Sequence, residues 1–340
     1  MRDLSWPDEW KFLATGFSSF RGTIMVLAPL DRGKSTLIRL LYVFFLREGR
    51  RVGWVDSDLG QSTVGPPTTI GLVISRGKEA TPEERLFTPY FRFIGDTTPE
   101  HEIVATACYA AELARLASAR CDVVLFDTCG LFSYPSGYFL KMLKIRLTEP
   151  EVVLAVGEKE EFLLWQRFLR ERLLVLPLPK EVAAKQYEFR RGYRQQLFNR
   201  YFTQKRMLTL PLEALRFSLP YYPYFFESIL RQEKNEVFFL TRGEKLVFSE
   251  DGNFLVMEKR GQRIPVLGML CGIFSKEGKE LGLGIIHSVN LEKETVTVWG
   301  VCINPGKPGA LVPGCLRLNE HGEEKGRYLL FSSPLRLERW

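Results

Sequence analysis

From Gly22 to about Pro177, short runs of apolar and β-branched residues alternate with longer stretches of helical apolar spacing. The short runs predict strands at Thr23–Leu27, Arg51–Asp56, Phe91–Ile94, Asp122–Asp127, Glu151–Val156 and Leu173–Leu176. The longer stretches predict helices, notably Lys34–Arg47 and Glu102–Ala119. Most of the strand runs lack polar alternation, so they are expected at the centre of a parallel sheet with both faces buried. Strands alternating with helices make this an α/β domain.

Beyond Pro179 the pattern changes. Pro179 to Arg206 is helical and strongly basic, with Arg190, Arg191, Arg194, Arg200, Lys205 and Arg206, and reads as an appendage over the sheet. A Pro- and Tyr-rich connector, Leu219–Phe226, leads to short strands separated by Gly-containing turns, such as Phe248–Gly252, Gly278–Gly284 and Asn304–Gly309. The expected division is an α/β domain at 1–232, its basic helical lid at about 179–206, and a smaller β-rich domain at 233–340. No internal repeat or low-complexity tract interrupts this pattern.

The 340 residues suit about two domains. Hydrophobic and charged shares of 45% and 26% exclude a mainly disordered or fibrous chain. The longest apolar run, Leu37 to Leu46, is interrupted by Arg39, so no membrane span is expected. An excess of 47 Lys and Arg over 40 Asp and Glu gives +7, the sign that suits a phosphate-rich partner. The six Cys form no C-x-x-C pair, which fits reduced thiols and a cytoplasmic protein. Met1 to Trp10 carries Asp3, Asp8 and Glu9 without an apolar core, so a secretory signal is not expected there.

The chemistry is concentrated at the predicted strand ends. After the first strand, Ala28-Pro-Leu-Asp-Arg-Gly33-Lys34-Ser35-Thr36 leads directly into a helix and reads as a Walker A loop with Ala28 at its first Gly position. Such a loop wraps phosphates in backbone N–H groups, with Lys34 neutralising charge, Ser35 offering a hydroxyl to Mg²⁺ and a helix N-terminus behind. The second strand ends in Asp56-Ser57-Asp58-Leu59-Gly60-Gln61, and Val123–Phe126 followed by Asp127 has the Walker B form. In a doubly wound sheet these ends converge on the ligand.

These motifs, with Pro66-Pro67-Thr68-Thr69-Ile70-Gly71-Leu72, Phe93–Pro99 and Asp127-Thr128-Cys129-Gly130, together resemble the polynucleotide 5′-hydroxyl kinases. That family includes the RNA kinase subunit of pre-mRNA cleavage and polyadenylation factors and the nucleolar kinases of pre-rRNA processing. Glu188 to Arg194 is similar to the family's arginine-bearing lid, and Gly282–Ile286 with Leu291–Val298 resembles its C-terminal strands.

The resemblance implies a P-loop NTPase that transfers the γ-phosphate of ATP, with Mg²⁺, to the 5′-hydroxyl end of RNA or DNA. It places the nucleotide on Asp31, Arg32, Gly33, Lys34, Ser35 and Thr36, and the metal on Ser35, Asp56 and Asp127. It makes Lys34, Asp58, Gln61, Arg190, Arg191 and Arg194 catalytic, with Asp58 as general base, Gln61 orienting the acceptor or its phosphate and the arginines meeting phosphoryl charge. Gln61, Thr128 and Leu131 are expected to hold the polynucleotide. Leu131 stands where the family usually has a Trp able to stack on a base. The chain also resembles compact prokaryotic members, without the N-terminal domain of larger relatives. The rival readings are a catalytically silent ATP-binding scaffold of an RNA-processing complex and a switch ATPase acting on a protein partner.

Overall fold

The computed structural model describes residues 6–76, 87–180, 187–217, 229–233, 236–241, 244–257 and 261–328. The expected connector Leu219–Phe226, the expected domain start near 233–235 in part, and residues 181–186 of the lid segment lie outside the described residues.

Two compact units emerge. The first gathers the described residues up to Phe91 together with Thr98–Arg191; the second gathers Arg92–Thr97 and the described residues from Gly192 onward. Its start is earlier than the expected 233, because the strand at Arg206–Pro211 pairs with Thr295–Cys302 rather than with the α/β sheet.

The first unit runs α1 (Phe12–Gly16), β1 (Gly22–Leu27), α2 (Lys34–Arg47), β2 (Arg51–Ser57), β3 (Thr69–Arg76), β4 (Tyr90–Phe93, which crosses into the second unit), α3 (Ile103–Ser118), β5 (Val123–Thr128), α4 (Ser136–Thr148), β6 (Val152–Val156), α5 (Leu163–Leu169), β7 (Leu173–Leu176) and the start of α6 (Tyr187–Tyr201). The sheet order is β4-β3-β2-β5-β1-β6-β7. All six predicted strands are present, and α2 has its predicted bounds.

The sheet is not wholly parallel as expected. β1 pairs in parallel with β5 and β6, as do β2 with β5 and β6 with β7, but β3 runs antiparallel to β2. The link from β2 to β3 holds no crossover helix, and a parallel pair requires one. As their apolar runs imply, β5 is buried along its whole length, and β1 and β2 at all but their first residues. One face packs on α2 through Leu37, Ile38, Leu41, Tyr42 and Phe45, with Trp10 and Trp54 in the same core.

The second unit takes β8 (Arg206–Pro211), then β9 (Ile229–Glu233), β10 (Glu236–Thr241), β11 (Glu244–Phe248), β12 (Phe254–Met257) and β13 (Gln262–Pro265), an antiparallel five-stranded sheet in the order β13-β12-β11-β10-β9. β14 (Met269–Ser275), β15 (Glu280–Asn290), β16 (Thr295–Cys302), β17 (Pro308–Leu318) and β18 (Glu324–Arg327) form a second sheet, ordered β18-β17-β14-β15-β16-β8. It is β-rich as expected, but β15 and β17 are long, and Gly282 and Gly284 lie inside β15 rather than in a turn. Residues of both sheets, including Leu246, Leu255, Ile273 and Val298, share one core.

Candidate active site

The loop after β1 turns through Asp31 and Gly33, whose φ values are 59° and 80°. Gly33 takes the left-handed conformation at the N-cap of α2 at little cost, and its carbonyl accepts the first helical hydrogen bond from Leu37 N at 2.9 Å. Lys34, Ser35 and Thr36 therefore begin a helix whose free N–H groups suit an anion. Among the residues lining the cleft of about 1090 Å³ at this loop are Pro29 to Thr36, Asp58, Gln61 and Gly130. Trp6 to Lys11, which nothing in the sequence pattern had marked, line it too, with Pro179 and Lys180 from the start of the expected lid.

Sheet register brings the acidic residues together. Asp127 on β5 pairs with Val26 of β1 and Asp56 of β2, one residue short of both strand ends. Lys34 Nζ donates to Asp127 Oδ1 at 2.9 Å and lies 3.9 Å from Asp58 Oδ2. Burial alone would lower the Lys34 pKa, but the carboxylates of Asp127 and Asp58 outweigh it and hold the proton more firmly than usual. Burial raises the pKa of Asp127, opposed by Lys34. Burial likewise pushes Asp56 up to about 7, with the charges of Asp127 and Asp58 adding to the effect.

Asp58 and Asp56 do different work. Asp58 Oδ1 accepts from Gly60 N at 3.1 Å and Gln61 N at 3.0 Å, which fixes the turn and leaves Oδ2 on the Lys34 side. Asp56 is buried, and both its oxygens are used by the backbone: Oδ1 accepts from Asp58 N at 3.0 Å, and Oδ2 from Thr63 N at 2.5 Å and Val64 N at 3.0 Å. The expected metal role does not suit Asp56, whose carboxylate folds the loop that carries Asp58 and Gln61.

Two expected polynucleotide contacts have protein neighbours in the structure. Thr128 is fully buried, and its hydroxyl donates to Val26 O at 2.7 Å, which ties β5 to β1. Leu131 is half-buried and packs against Ile103, Ala107, Cys129 and Leu140, as a core residue does. Gly130 explains itself by proximity: a Cβ there would overlap the Leu30 side chain and stand 3.2 Å from Leu30 Cα.

The three arginines of α6 have separate surroundings. Arg190 pairs with Asp31 of the phosphate loop. Arg194 is buried in a fork with Glu324 of β18, with contacts of 2.5 and 3.2 Å, so its guanidinium is already engaged within the second unit. In this structure Arg194, expected to be catalytic, spends its guanidinium on that carboxylate. Arg191 is exposed. In the phosphate loop, Arg32 meets Glu161 at 3.2 Å, Ser35 is half-buried and Thr36 is exposed.

Beneath the Asp58 turn lie two lysines that sequence reading passed over. Lys141 and Lys144 of α4 are both fully buried. Lys141 Nζ donates to Cys129 O at 2.6 Å, and Lys144 Nζ to Ser57 Oγ at 2.8 Å. The signal was available: Gly137, Leu140, Lys141, Lys144 and Ile145 form the buried stripe of the helix, at helical spacing.

Among the described residues, no three His, Cys, Asp or Glu side chains form a metal cage, and no helix is long and apolar enough to cross a membrane.

Comparison with known proteins accords with this geometry. A family model described as the mRNA cleavage and polyadenylation factor CLP1 P-loop matches residues 28–204, more than half of the chain. A polyribonucleotide 5′-hydroxyl-kinase of Pyrococcus furiosus is 26% identical over 322 residues, covering 89% of each chain. One of Pyrococcus horikoshii is 28% identical, covering 94% of this chain and 93% of its own. The human polyribonucleotide 5′-hydroxyl-kinase Clp1 is 30% identical over 190 residues, which is 53% of this chain and 44% of that protein. The solved structure of a wild-type Clp1p–Pcf11p complex matches 90% of this chain with a TM-score of 0.63 at 13% identity, a likeness of fold.

Proposed function

This chain belongs to the CLP1 P-loop family, and we propose that it is an ATP-dependent polyribonucleotide 5′-hydroxyl kinase. One observation carries the reading: Lys34, Asp58 and Gln61 line the same cleft as the phosphate loop, with Asp58 Oδ2 only 3.9 Å from Lys34 Nζ. A nucleoside triphosphate seated on the helix N-terminus brings its terminal phosphate to Lys34, which keeps its charge at any physiological pH. Asp58 then receives the proton of an acceptor hydroxyl, and Gln61, set by the same turn, orients that acceptor. Arg190, beside the loop, meets charge on the transferring phosphoryl oxygens.

Ser35 and Asp127 are hard oxygen donors and suit Mg²⁺, which keeps several waters and needs few protein ligands. Lys34 takes one oxygen of Asp127 and leaves the carboxylate a second. Held by these two residues, the ion would supply charge neutralisation between phosphates. Trp6 to Lys11, at the rim of the cleft, would border the nucleoside end. The reduced-thiol composition supports a cytoplasmic location.

The test is incubation of the pure protein with γ-labelled ATP and matched 5′-hydroxyl RNA and DNA oligonucleotides. Label on the RNA end is expected, and the DNA arm measures whether the 2′-hydroxyl is required. Binding of ATP without label on either acceptor would replace the kinase by a silent ATP-binding scaffold.

A further inference from the structure

Lys141 and Lys144 are the most costly residues of the first unit that the mechanism above does not use. Both are fully buried, and among the described residues neither ammonium has a carboxylate within salt-bridge distance. A buried cation without a close counter-ion is unfavourable, and an apolar side chain of equal volume would be cheaper. The two ammoniums instead share the buried Cys129 thiol, which lies 3.6 Å from Lys141 Nζ and whose pKa they lower, and their hydrogen bonds to uncharged oxygen tie strand ends together. Lys144 Nζ donates to Ser57 Oγ at 2.8 Å, and because an ammonium only donates, that hydroxyl is turned to donate onward to Asp127 O at 2.6 Å. Lys141 Nζ, one helical turn earlier, holds Cys129 O at 2.6 Å, two residues past Asp127. Ser57 lies between Asp56 and Asp58 in the chain. One helix thus fastens the tip of β2 to the tip of β5 at the two residues on which transfer depends.

We propose that Lys141 and Lys144 are positioning residues for phosphoryl transfer, fixing Asp58 against Asp127 and placing buried positive charge beneath the acceptor end of the cleft. This rests on the kinase reading. Both lysines interact electrostatically with Asp58, so their field reaches the place where transfer gathers negative charge. Preorganised charge of this kind lowers a barrier without moving during the reaction, which accounts for its retention at a cost to the fold.

The experiment compares wild type with Lys141→Met, Lys144→Met, the double variant, Ser57→Ala and Ser57→Thr. It reads kcat on a 5′-hydroxyl RNA per ATP-binding site, Kd for ATP, and Tm. The Met variants are expected to keep or raise Tm, to bind ATP within about twofold of wild type, and to lose about tenfold or more in kcat. Ser57→Ala should lose rate, and Ser57→Thr, which keeps the hydroxyl, should recover most of it. A merely structural tie predicts the reverse: a lower Tm with normal kcat in the molecules that remain folded. A folded double Met variant with kcat within about twofold of wild type overturns the proposal. Should the Met variants not fold, equal kcat in the two Ser57 variants overturns it and rescue by Thr supports it. Failure of the wild type to label RNA brings down the kinase reading and this inference together, whereas label from wild type and variants alike brings down the inference alone.

Discussion

Lys34 and Lys144 lie in the same α/β unit, both hidden from solvent, and the protein treats their protons in opposite ways. Burial works against the charge of each. At Lys34 a carboxylate at 2.9 Å and another at 3.9 Å overcome it, and the proton is held more firmly than in water. At Lys144 the ammonium meets a hydroxyl, and burial prevails, bringing its pKa down to about 8. The difference lies in what each ammonium touches. A lysine bonded to carboxylates is neutralised by its own protein. One bonded to neutral oxygen, with the Cys129 thiol as its main electrostatic counterweight, keeps a field that acts on its surroundings.

The strongest way to break this contrast is to remove a carboxylate from Lys34. Asp58→Asn is expected to lower kcat by about 10³-fold with ATP affinity retained, since it deletes the proposed base while Asp127 still holds the lysine. Single-turnover labelling with a separate ATP titration checks it; collapse of ATP binding with turnover intact would make Asp58 a nucleotide ligand instead. Lys34→Met should cost about 10²-fold or more in kcat, and loss of less than tenfold would remove Lys34 from the transition state.

The α6 arginines repeat the comparison on a smaller scale. Arg190→Ala should lower kcat by about tenfold with Tm little changed. Arg194→Ala should leave kcat within about twofold and destabilise the second unit by about 3 kcal/mol, because it strands Glu324 without its partner. Denaturant melts beside steady-state rates separate the two outcomes, and a rate loss confined to Arg194→Ala would reverse the assignment.

The smallest effect is one of pH. Lys144 holds its proton less tightly when folded, at about 8, than when unfolded, at the ordinary 10.5. Between these values the unfolded chain binds more proton, so this lysine makes stability rise with pH across that window; below about 8 the burial cost is felt in full. Lys144→Met is expected to flatten the Tm-against-pH curve between about pH 8 and 10 relative to wild type. Parallel curves would show that Lys144 does not titrate there.

What the sequence made legible follows the range of the interactions involved. The helix Lys34–Arg47 and the strands bearing Asp56 and Asp127 are written in local apolar spacing, and the phosphate loop is a contiguous motif. The direction of β3 is not local: Thr69 to Arg76 became a strand by pairing back on β2. The pairing of Arg194 was not legible because its partner Glu324 is 130 residues away, and an arginine on a helix looks alike whether it faces phosphate or carboxylate. Nor was the bond of Thr128 to a carbonyl on β1, 102 residues earlier. Lys141 and Lys144 were missed for a further reason. Lysine on an amphipathic helix normally marks its wet side, and here it occupies the dry one.

The contact of Gly130 with Leu30 has a consequence for anyone redesigning this protein. At position 130 the loop that follows β5 lies against Leu30 of the phosphate loop, where a methyl group would overlap the Leu30 side chain. A side chain at position 130 would therefore act first on the phosphate loop, and a smaller residue at Leu30 is the change that would make room for it.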